Sequence, residues 1–375
     1  MTMDYRCLGL MSGSSLDGLD LAMCRFRPAE ESALAFRLDR WELESAETLP
    51  FAPEWQDRLR RLPEAGGKEL AAAHAAFGRY LGSLVRAFLA DHPAAGPIDC
   101  IASHGHTVFH EPAAGFTLQI GDGAALSAVT GLPVVCDFRS YDVALGGQGA
   151  PLAPMADRWL YPGYDAYLNL GGIANISCPT PDGFVAFDVT GANQLLNALA
   201  GQAGQVFDRD GEMAAQGVVR ADLLDRLNSL PYFLAPYPKS LSNQWVQENL
   251  VNPLLAYPAS VEDRSATACL HIATQVCRAL SDLRTAGRLP ADRPIRLLAT
   301  GGGALHLHLM GRLPDCLPGL SLATADPSAI HFKEACLMAL LGFQRLLGAP
   351  NCLSTVTGAR QDNIGGALHL PPPKP

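Results

Sequence analysis

The sequence is poor in charge and poorer still in positive charge. Only 17% of its 375 residues are charged against 48% apolar, which excludes a disordered chain or a long coiled coil. Its formal net charge is -9 and no run of Lys and Arg occurs, so it lacks the footprint of a nucleic-acid binder. No CxxC pair links any of the ten cysteines, which read as small buried hydrophobes in a reducing compartment, not as a zinc knot or disulfide framework. No apolar run reaches the roughly 18 residues of a membrane span, and the opening MTMDYRCLGLM has no signal-peptide pattern. The expectation is a soluble, cytoplasmic protein. Also missing are the GxxxxGK[ST] of a Walker loop and the GxGxxG of a Rossmann unit.

What is present is alternation. A chain of 375 residues exceeds the roughly 250–300 at which single cores stop growing, so two domains are expected. Short apolar runs at 7–11 and 19–26 flank a polar turn, which predicts strand, turn and strand, with a third strand around 35–43. Helical spacing of Leu70, Ala73, Phe77, Leu81, Leu84, Val85 and Phe88 predicts an amphipathic helix over 68–90. Runs at 98–102 and 132–136 read as buried strands separated by loop-rich stretches, SHGHTVFH and LQIGDGAAL. Strand-like 166–170 and 174–177, helices through 268–283, a strand at 296–300 and a helix at 333–347 repeat this grammar. The fold class expected is α/β, with a first lobe at 1–148 completed by 333–375 and a second lobe at 149–332.

Three glycine-rich turns carry the chemistry. In Ser12-Gly13-Ser14-Ser15-Leu16-Asp17-Gly18, glycines let the backbone approach a ligand and the serines add hydroxyl donors, a nest suited to phosphate oxygens. Taken alone, the same residues make an ordinary polar hairpin. Asp17 and Asp20 could hold Mg2+ through water, a cation that takes one or two carboxylates plus substrate phosphates; either could equally stabilise the turn. The second turn is Gly171-Gly172 between two strand-like runs, and the third is Gly301-Gly302-Gly303 where a buried strand opens into a helix, a usual ligand position in α/β sheets.

The ordered segments GLMSGSSLDGLD (9–20), SHGHTVFH (103–110), LQIGD (118–122), VVCDFR (134–139), GGQGAPL (146–152), NLGGIANIS (169–177), PKS (238–240), GGGA (301–304), KEA (333–335) and VTGA (356–359) resemble the anhydro-N-acetylmuramic acid kinase family across nearly the whole chain. The resemblance implies a two-lobed fold of the actin, hexokinase and Hsp70 kind, with duplicated ribonuclease H-like domains. It implies an ATP-dependent kinase that opens the 1,6-anhydro bond with water and phosphorylates O6, giving N-acetylmuramic acid 6-phosphate in peptidoglycan recycling. ATP and Mg2+ are the implied cofactors. ATP would lie on Gly13, Ser14, Ser15, Leu16, Asp17, Gly18, Leu19, Asp20, Gly171, Gly172, Gly301, Gly302 and Gly303, with Asp17 as the water-mediated metal contact.

By the same resemblance Asp188 is the general base; read without it, Asp188 is a turn or capping residue. Sugar contacts fall to Ser103, His104, His106, Thr107, Arg139, Asn193 and Glu334. Arg139 follows a strand end, where its fork suits the lactyl carboxylate of muramic acid, a surface ion pair being the plainer reading. Glu334 also suits the positive end of a helix whatever else it does. The family usually has Gln where His106 stands, and Asp-Thr-Gly-Pro-Gly-Asn where this chain has Asp188-Val189-Thr190-Gly191-Ala192-Asn193, with a further Asp at the place of Asn197. Clustering of His104, His106 and His110 around zinc is the minor alternative. Rival functions are a kinase of another anhydrosugar, such as levoglucosan, and a silent nucleotide-binding regulator. The expected partners are a sugar and ATP, without nucleic acid or membrane, in a monomer or a homodimer.

Overall fold

The structure is a computed structural model. It describes residues 3–13, 16–29, 36–181, 183–237 and 239–373, and at Ala329 the backbone alone. Ser14, Ser15 and Pro238, all within motifs singled out above, lie outside the described residues. The chain forms two compact units, residues 1–162 with 332–375 and residues 163–331, so the division falls after Pro162 and not after Gln148.

In the first unit β1 (Tyr5–Ser12), β2 (Gly18–Pro28) and β3 (Leu38–Pro50) form an antiparallel meander. Strand β4 (Cys100–Ser103) lies parallel to β1 on its other side. A hairpin of β5 (His106–Glu111) and β6 (Phe116–Ile120) stands apart as its own sheet, and β7 (Val134–Cys136) runs parallel to β4. The order is β3-β2-β1-β4-β7, extended by a short antiparallel strand, Ala367–His369, beside β7. Because β1 is central and covered on both faces, it reads as a nearly continuous apolar run, Cys7, Leu8 and Leu10 being fully buried.

The helix Gly67–Asp91 lays Ala73, Phe77, Leu81, Val85 and Phe88 onto a core with Leu8, Leu10, Leu21, Met23 and Ile101. Each of the larger side chains contributes roughly 1.5–3 kcal/mol on burial. Pro93 bars helical geometry at the residue before it, and His92 leaves the helix at φ -124°, ψ 73°. A second helix, Pro327–Leu346, crosses β1 and β4 so closely that a Cβ on Gly9 would sit 1.8 Å from the Ala335 carbonyl oxygen. At Gly342 a Cβ would come within 2.5 Å of Ala102.

The second unit repeats the plan. Strands β8 (Ala166–Leu170), β9 (Ile173–Thr180) and β10 (Gly183–Gly191) form a meander, followed by β11 (Ile295–Thr300) parallel to β8 and β12 (Leu320–Thr324) parallel to β11. The order β10-β9-β8-β11-β12 matches β3-β2-β1-β4-β7 strand for strand, including which pairs are parallel. The 25-residue helix Val261–Thr285 buries a broad face that includes Ile272, Val276 and Leu280.

Three further sequence expectations need correction. The last helix begins at Pro327 and not at 333, so Glu334 lies two turns inside it and away from its positive end. The stretches read as loops at 103–110 and 118–126 hold the β5–β6 hairpin and the start of a helix, Gly123–Thr130, capped by the Asp122 carboxylate on the Ala124 N–H at 2.9 Å. The hairpin strands are short and rich in His, Thr and Glu, with only His106, Thr117 and Ile120 buried, so they mimic loop composition. Strand β3 runs to Pro50, well beyond the expected 43; its polar residues Glu44, Glu47 and Thr48 are half-buried on an edge strand paired to β2 and break the apolar pattern.

Candidate active site

The C-terminal ends of the adjacent parallel strands β1, β4 and β7 put Ser12, the loop at 103–106 and Arg139 on one edge of the first sheet, the edge where open α/β sheets hold ligands. Gly105 makes the turn at φ +70°, and a Cβ there would lie 2.4 Å from the Ile120 carbonyl oxygen. Ser103 is buried and its hydroxyl accepts from the Gly105 N–H at 3.2 Å. His104 Nδ1 lies 3.0 Å from the Gly105 carbonyl and its Nε2 3.0 Å from Arg139 Nε. A carbonyl only accepts and a guanidinium only donates, so His104 carries its proton on Nδ1 and is neutral. Burial first, then the Arg139 charge, pushes its pKa down to about 3. His106 is also buried, which lowers its pKa, and its Nδ1 is 3.1 Å from the Ser12 hydroxyl. Thr107 is exposed, 3.4 Å from Gln119 Nε2. His110 Nδ1 instead meets the Thr117 hydroxyl at 3.0 Å. Among the described residues no group of three His, Cys, Asp or Glu, these histidines included, could hold a metal.

Arg139 is anchored from behind. Its Nη1 donates to the Gly149 carbonyl at 2.6 Å, and the Gly149 N–H donates to Asp142 Oδ2 at 2.8 Å. Asp142 is fully buried, its Oδ1 accepting from the Thr357 hydroxyl and the Asn363 amide, each at 2.8 Å. The GGQG and VTGA motifs are therefore one structure built around a buried carboxylate. Sequence reading missed it because a lone Asp resembles a solvated one. Both contacts on Arg139 fall on Nε and Nη1, and no carboxylate lies within ion-pair distance of it among the described residues.

Glu334 reaches the same edge because Gly9 lets its helix approach β1. Its carboxyl is open to solvent but hemmed in by protein; that crowding and the nearby Asp20 charge raise its pKa, while Arg139 and Lys333 oppose them. Asp20 accepts from the Thr48 hydroxyl at 2.6 Å. In the 12–18 turn, Leu16 takes φ +60° and Asp17 Oδ1 accepts from the Gly18 N–H at 3.1 Å. Leu19, expected at the phosphates, is 1% exposed and paired to β1 and β3, so its place is in the sheet.

In the second unit the Gly171-Gly172 and Gly301-Gly303 turns leave the C-terminal ends of neighbouring strands β8 and β11. Gly301 has φ +80°, and a Cβ there would stand 2.7 Å from Asn169 Oδ1. Asn193 ties the turns together: its Nδ2 donates to the Leu170 carbonyl and its N–H to the Gly171 carbonyl, both at 3.0 Å, while a Cβ on Gly303 would lie 2.8 Å from its Oδ1. His306, left without a role in the sequence reading, caps the helix Leu307–Cys316 by accepting the Leu309 N–H at 3.2 Å.

Asp188 lies on β10 at a bulge, where register to β9 shifts between Asp188 and Thr190. Its N–H donates to the Lys239 carbonyl at 3.0 Å, its carbonyl accepts from the Tyr232 hydroxyl at 2.7 Å, and its Oδ2 accepts from the Leu241 N–H at 2.9 Å. Oδ1 has no hydrogen bond among the described residues. Burial raises the pKa of this carboxyl and the Leu241 N–H offsets part of the rise. Lys239 of the PKS motif and Leu241 just beyond it thus brace Asp188, a role the sequence did not disclose.

Two sheets of one strand order, each with glycine turns at its parallel strand ends, define a duplicated α/β fold of the kind shared by actin and the sugar kinases. A family model described as anhydro-N-acetylmuramic acid kinase matches residues 5–371. Curated proteins of that name from Pseudomonas syringae pv. syringae (strain B728a), Shewanella amazonensis and Gloeobacter violaceus are 34%, 35% and 36% identical to this chain. The alignments cover 98%, 96% and 96% of it, and 100%, 97% and 98% of the relatives. The chain belongs to the anhydro-N-acetylmuramic acid kinase family.

Proposed function

We propose that this protein uses ATP and water to open 1,6-anhydro-N-acetylmuramic acid and phosphorylate O6, yielding N-acetylmuramic acid 6-phosphate and ADP. The observation that carries the reading is the family match from residue 5 to 371. In this reading Asp188 Oδ1 takes a proton from water as the water oxygen bonds to C1. The C1–O6 bond breaks, its electron pair on O6 forms the new bond to the γ-phosphorus, and the bond to the ADP oxygen breaks. A carboxyl of raised pKa is the stronger base for this step, and among the described residues its Oδ1 has no competing donor.

Alignment and electrostatics supply most of the stabilisation in phosphoryl transfer. The N–H groups of Gly13, Leu16, Gly171, Gly172, Gly301, Gly302 and Gly303, with those at Ser14 and Ser15, would serve the phosphates. Asp17 and Asp20 fit a cation that arrives with its nucleotide, since such a cation needs only one or two protein carboxylates. Mg2+, held to Asp17 through water, would neutralise phosphate charge. Arg139, through Nη2 and the remaining Nη1 hydrogen, would take the lactyl carboxylate end-on. Ser103, His104, His106, Thr107, Asn193 and Glu334 would surround the sugar hydroxyls and acetamido group. The cytoplasm, where ATP is made, suits the reaction, and among the described residues no helix is long and apolar enough to cross a membrane.

The test is mass spectrometry of products formed from ATP and the anhydrosugar in oxygen-18 water. The label should enter C1 and the phosphate should sit on O6. Label elsewhere, or turnover of levoglucosan in place of the muramic sugar, would sink the assignment.

A further inference from the structure

Behind the bulge that carries Asp188 lies a buried polar relay that none of the motifs accounts for. Thr190 is 0% exposed, and its hydroxyl is 3.0 Å from Nε2 of His271, itself 0% exposed on the long helix Val261–Thr285. His271 Nδ1 is 2.7 Å from Asn228 Oδ1, which also accepts from Gln275 Nε2 at 2.8 Å.

The proton positions follow from what each atom can do. Asn228 Oδ1 offers only lone pairs, so His271 Nδ1 must donate. Burial pushes the His271 pKa down to about 3, so the ring is neutral and Nε2 keeps a lone pair. The Thr190 hydroxyl therefore donates to Nε2. With every member buried or half-buried, losing one bond leaves a polar atom unpaired at a site water cannot easily reach.

A β-bulge adds a residue to one strand and lets that strand turn, which is how such sites re-aim a side chain. Here the bulge separates Asp188 from Thr190. On the Asp188 side the strand is gripped by Lys239, Tyr232 and Leu241. On the other side the Thr190 relay is the side-chain hydrogen bond that holds the strand among the described residues. This stretch is also where the sequence leaves the common family pattern, which has Gly where Thr190 stands.

We propose that Thr190, locked by His271 and Asn228, is a positioning residue that fixes the direction of Asp188 Oδ1. This rests on the reading of Asp188 as the base. It explains how the chain keeps a defined carboxylate despite the altered sequence around it: a fixed side-chain bond replaces a backbone-determined turn.

The experiment is steady-state kinetics of the full-length enzyme with ATP and anhydro-N-acetylmuramic acid, alongside melting temperatures, for Thr190→Val, Thr190→Ser, Asn228→Ala and Asp188→Asn. Valine keeps the shape of threonine and removes the donor. Displacing a reacting group by about 1 Å can lower the rate on the order of a hundredfold, so Thr190→Val should lower kcat about 10- to 100-fold with both KM values unchanged within about twofold. Thr190→Ser keeps the donor and should restore kcat to within about threefold. Asn228→Ala, at the half-buried end of the relay, frees the His271 tautomer and should lower kcat in the same way; it decides the matter should Thr190→Val not fold. A folded Thr190→Val or Asn228→Ala enzyme with wild-type kcat, equal losses in Thr190→Val and Thr190→Ser, or a loss confined to KM or melting temperature would overturn the proposal. Asp188→Asn separates the two ideas: if it retains turnover, the base is misassigned whatever Thr190 does.

Discussion

The two sheets have the same strand order and differ in what stands on their C-terminal edges. The first unit's edge is rich in titratable groups, where burial and the Arg139 charge lower the His104 pKa and burial and the Asp20 charge raise that of Glu334. The second unit's edge is built of glycine turns held by Asn193, beside one carboxylate, Asp188, braced mainly by backbone. Duplication thus copies a scaffold and leaves the edges to differ: one carries polar and charged side chains, the other mostly bare backbone. Glycine also has two uses here. Gly9 brings a helix onto a sheet, whereas Gly303 leaves room beside a turn.

That contrast gives the largest expected effect. A Cβ on Gly9 would meet the Ala335 carbonyl at 1.8 Å and the Ala339 nitrogen at 2.7 Å, backbone atoms of a helix that cannot step aside. Gly9→Ala should destabilise the first unit by about 3 kcal/mol or more. At Gly303 the obstacles are Asn193 Oδ1 and Leu170 Cβ, each at 2.8 Å, and the Leu170 carbonyl oxygen at 3.0 Å, all farther off than the Ala335 carbonyl is from Gly9, so Gly303→Ala should lower stability by less, about 1–2 kcal/mol. Urea unfolding of both variants checks this, and equal losses would erase the distinction between packing glycine and turn glycine.

Local pattern made most of this legible. The helix Gly67–Asp91 and the strands β1, β2, β8 and β11 are strong periodic signals within single segments. What stayed hidden depends on distant partners. Asp142 bonds Thr357 and Asn363 across more than two hundred positions, and the tail from 367 to 369 closes the first sheet. Nothing local tells a buried, fully bonded Asp from a solvated one, or a relay histidine such as His271 from a surface one. Glu334 was legible only through the resemblance, because its place on the edge depends on how closely its helix crosses Gly9.

Each unit also buries a neutral histidine whose pKa is held down to about 3, His104 in the first and His271 in the second. Below pH 6.5 the unfolded chain binds a proton at each site that the folded chain refuses, so stability falls as pH drops from about 6.5 toward 3. At pH 5 the loss should reach roughly 2 kcal/mol per histidine. His104→Gln should therefore lose about 2 kcal/mol less than the parent between pH 7.5 and pH 5, as urea titrations at the two values would reveal. Parallel losses would mean that His104 is charged in the folded state, and the tautomer inferred from Gly105 and Arg139 would be wrong.

The smallest effect belongs to His106, and it bears on whether the charged edge does chemistry or only recognition. Its ring is neutral, pushed further from protonation by burial, and its one side-chain hydrogen bond is to the Ser12 hydroxyl at 3.1 Å. A neutral bond of this kind is worth about 1 kcal/mol net, and glutamine offers both a donor and an acceptor in its place. His106→Gln should then raise the sugar KM by less than about fivefold and leave kcat alone. Steady-state kinetics decides it: a large fall in kcat would move His106 from recognition into proton transfer, and the division of labour between the two edges would have to be redrawn.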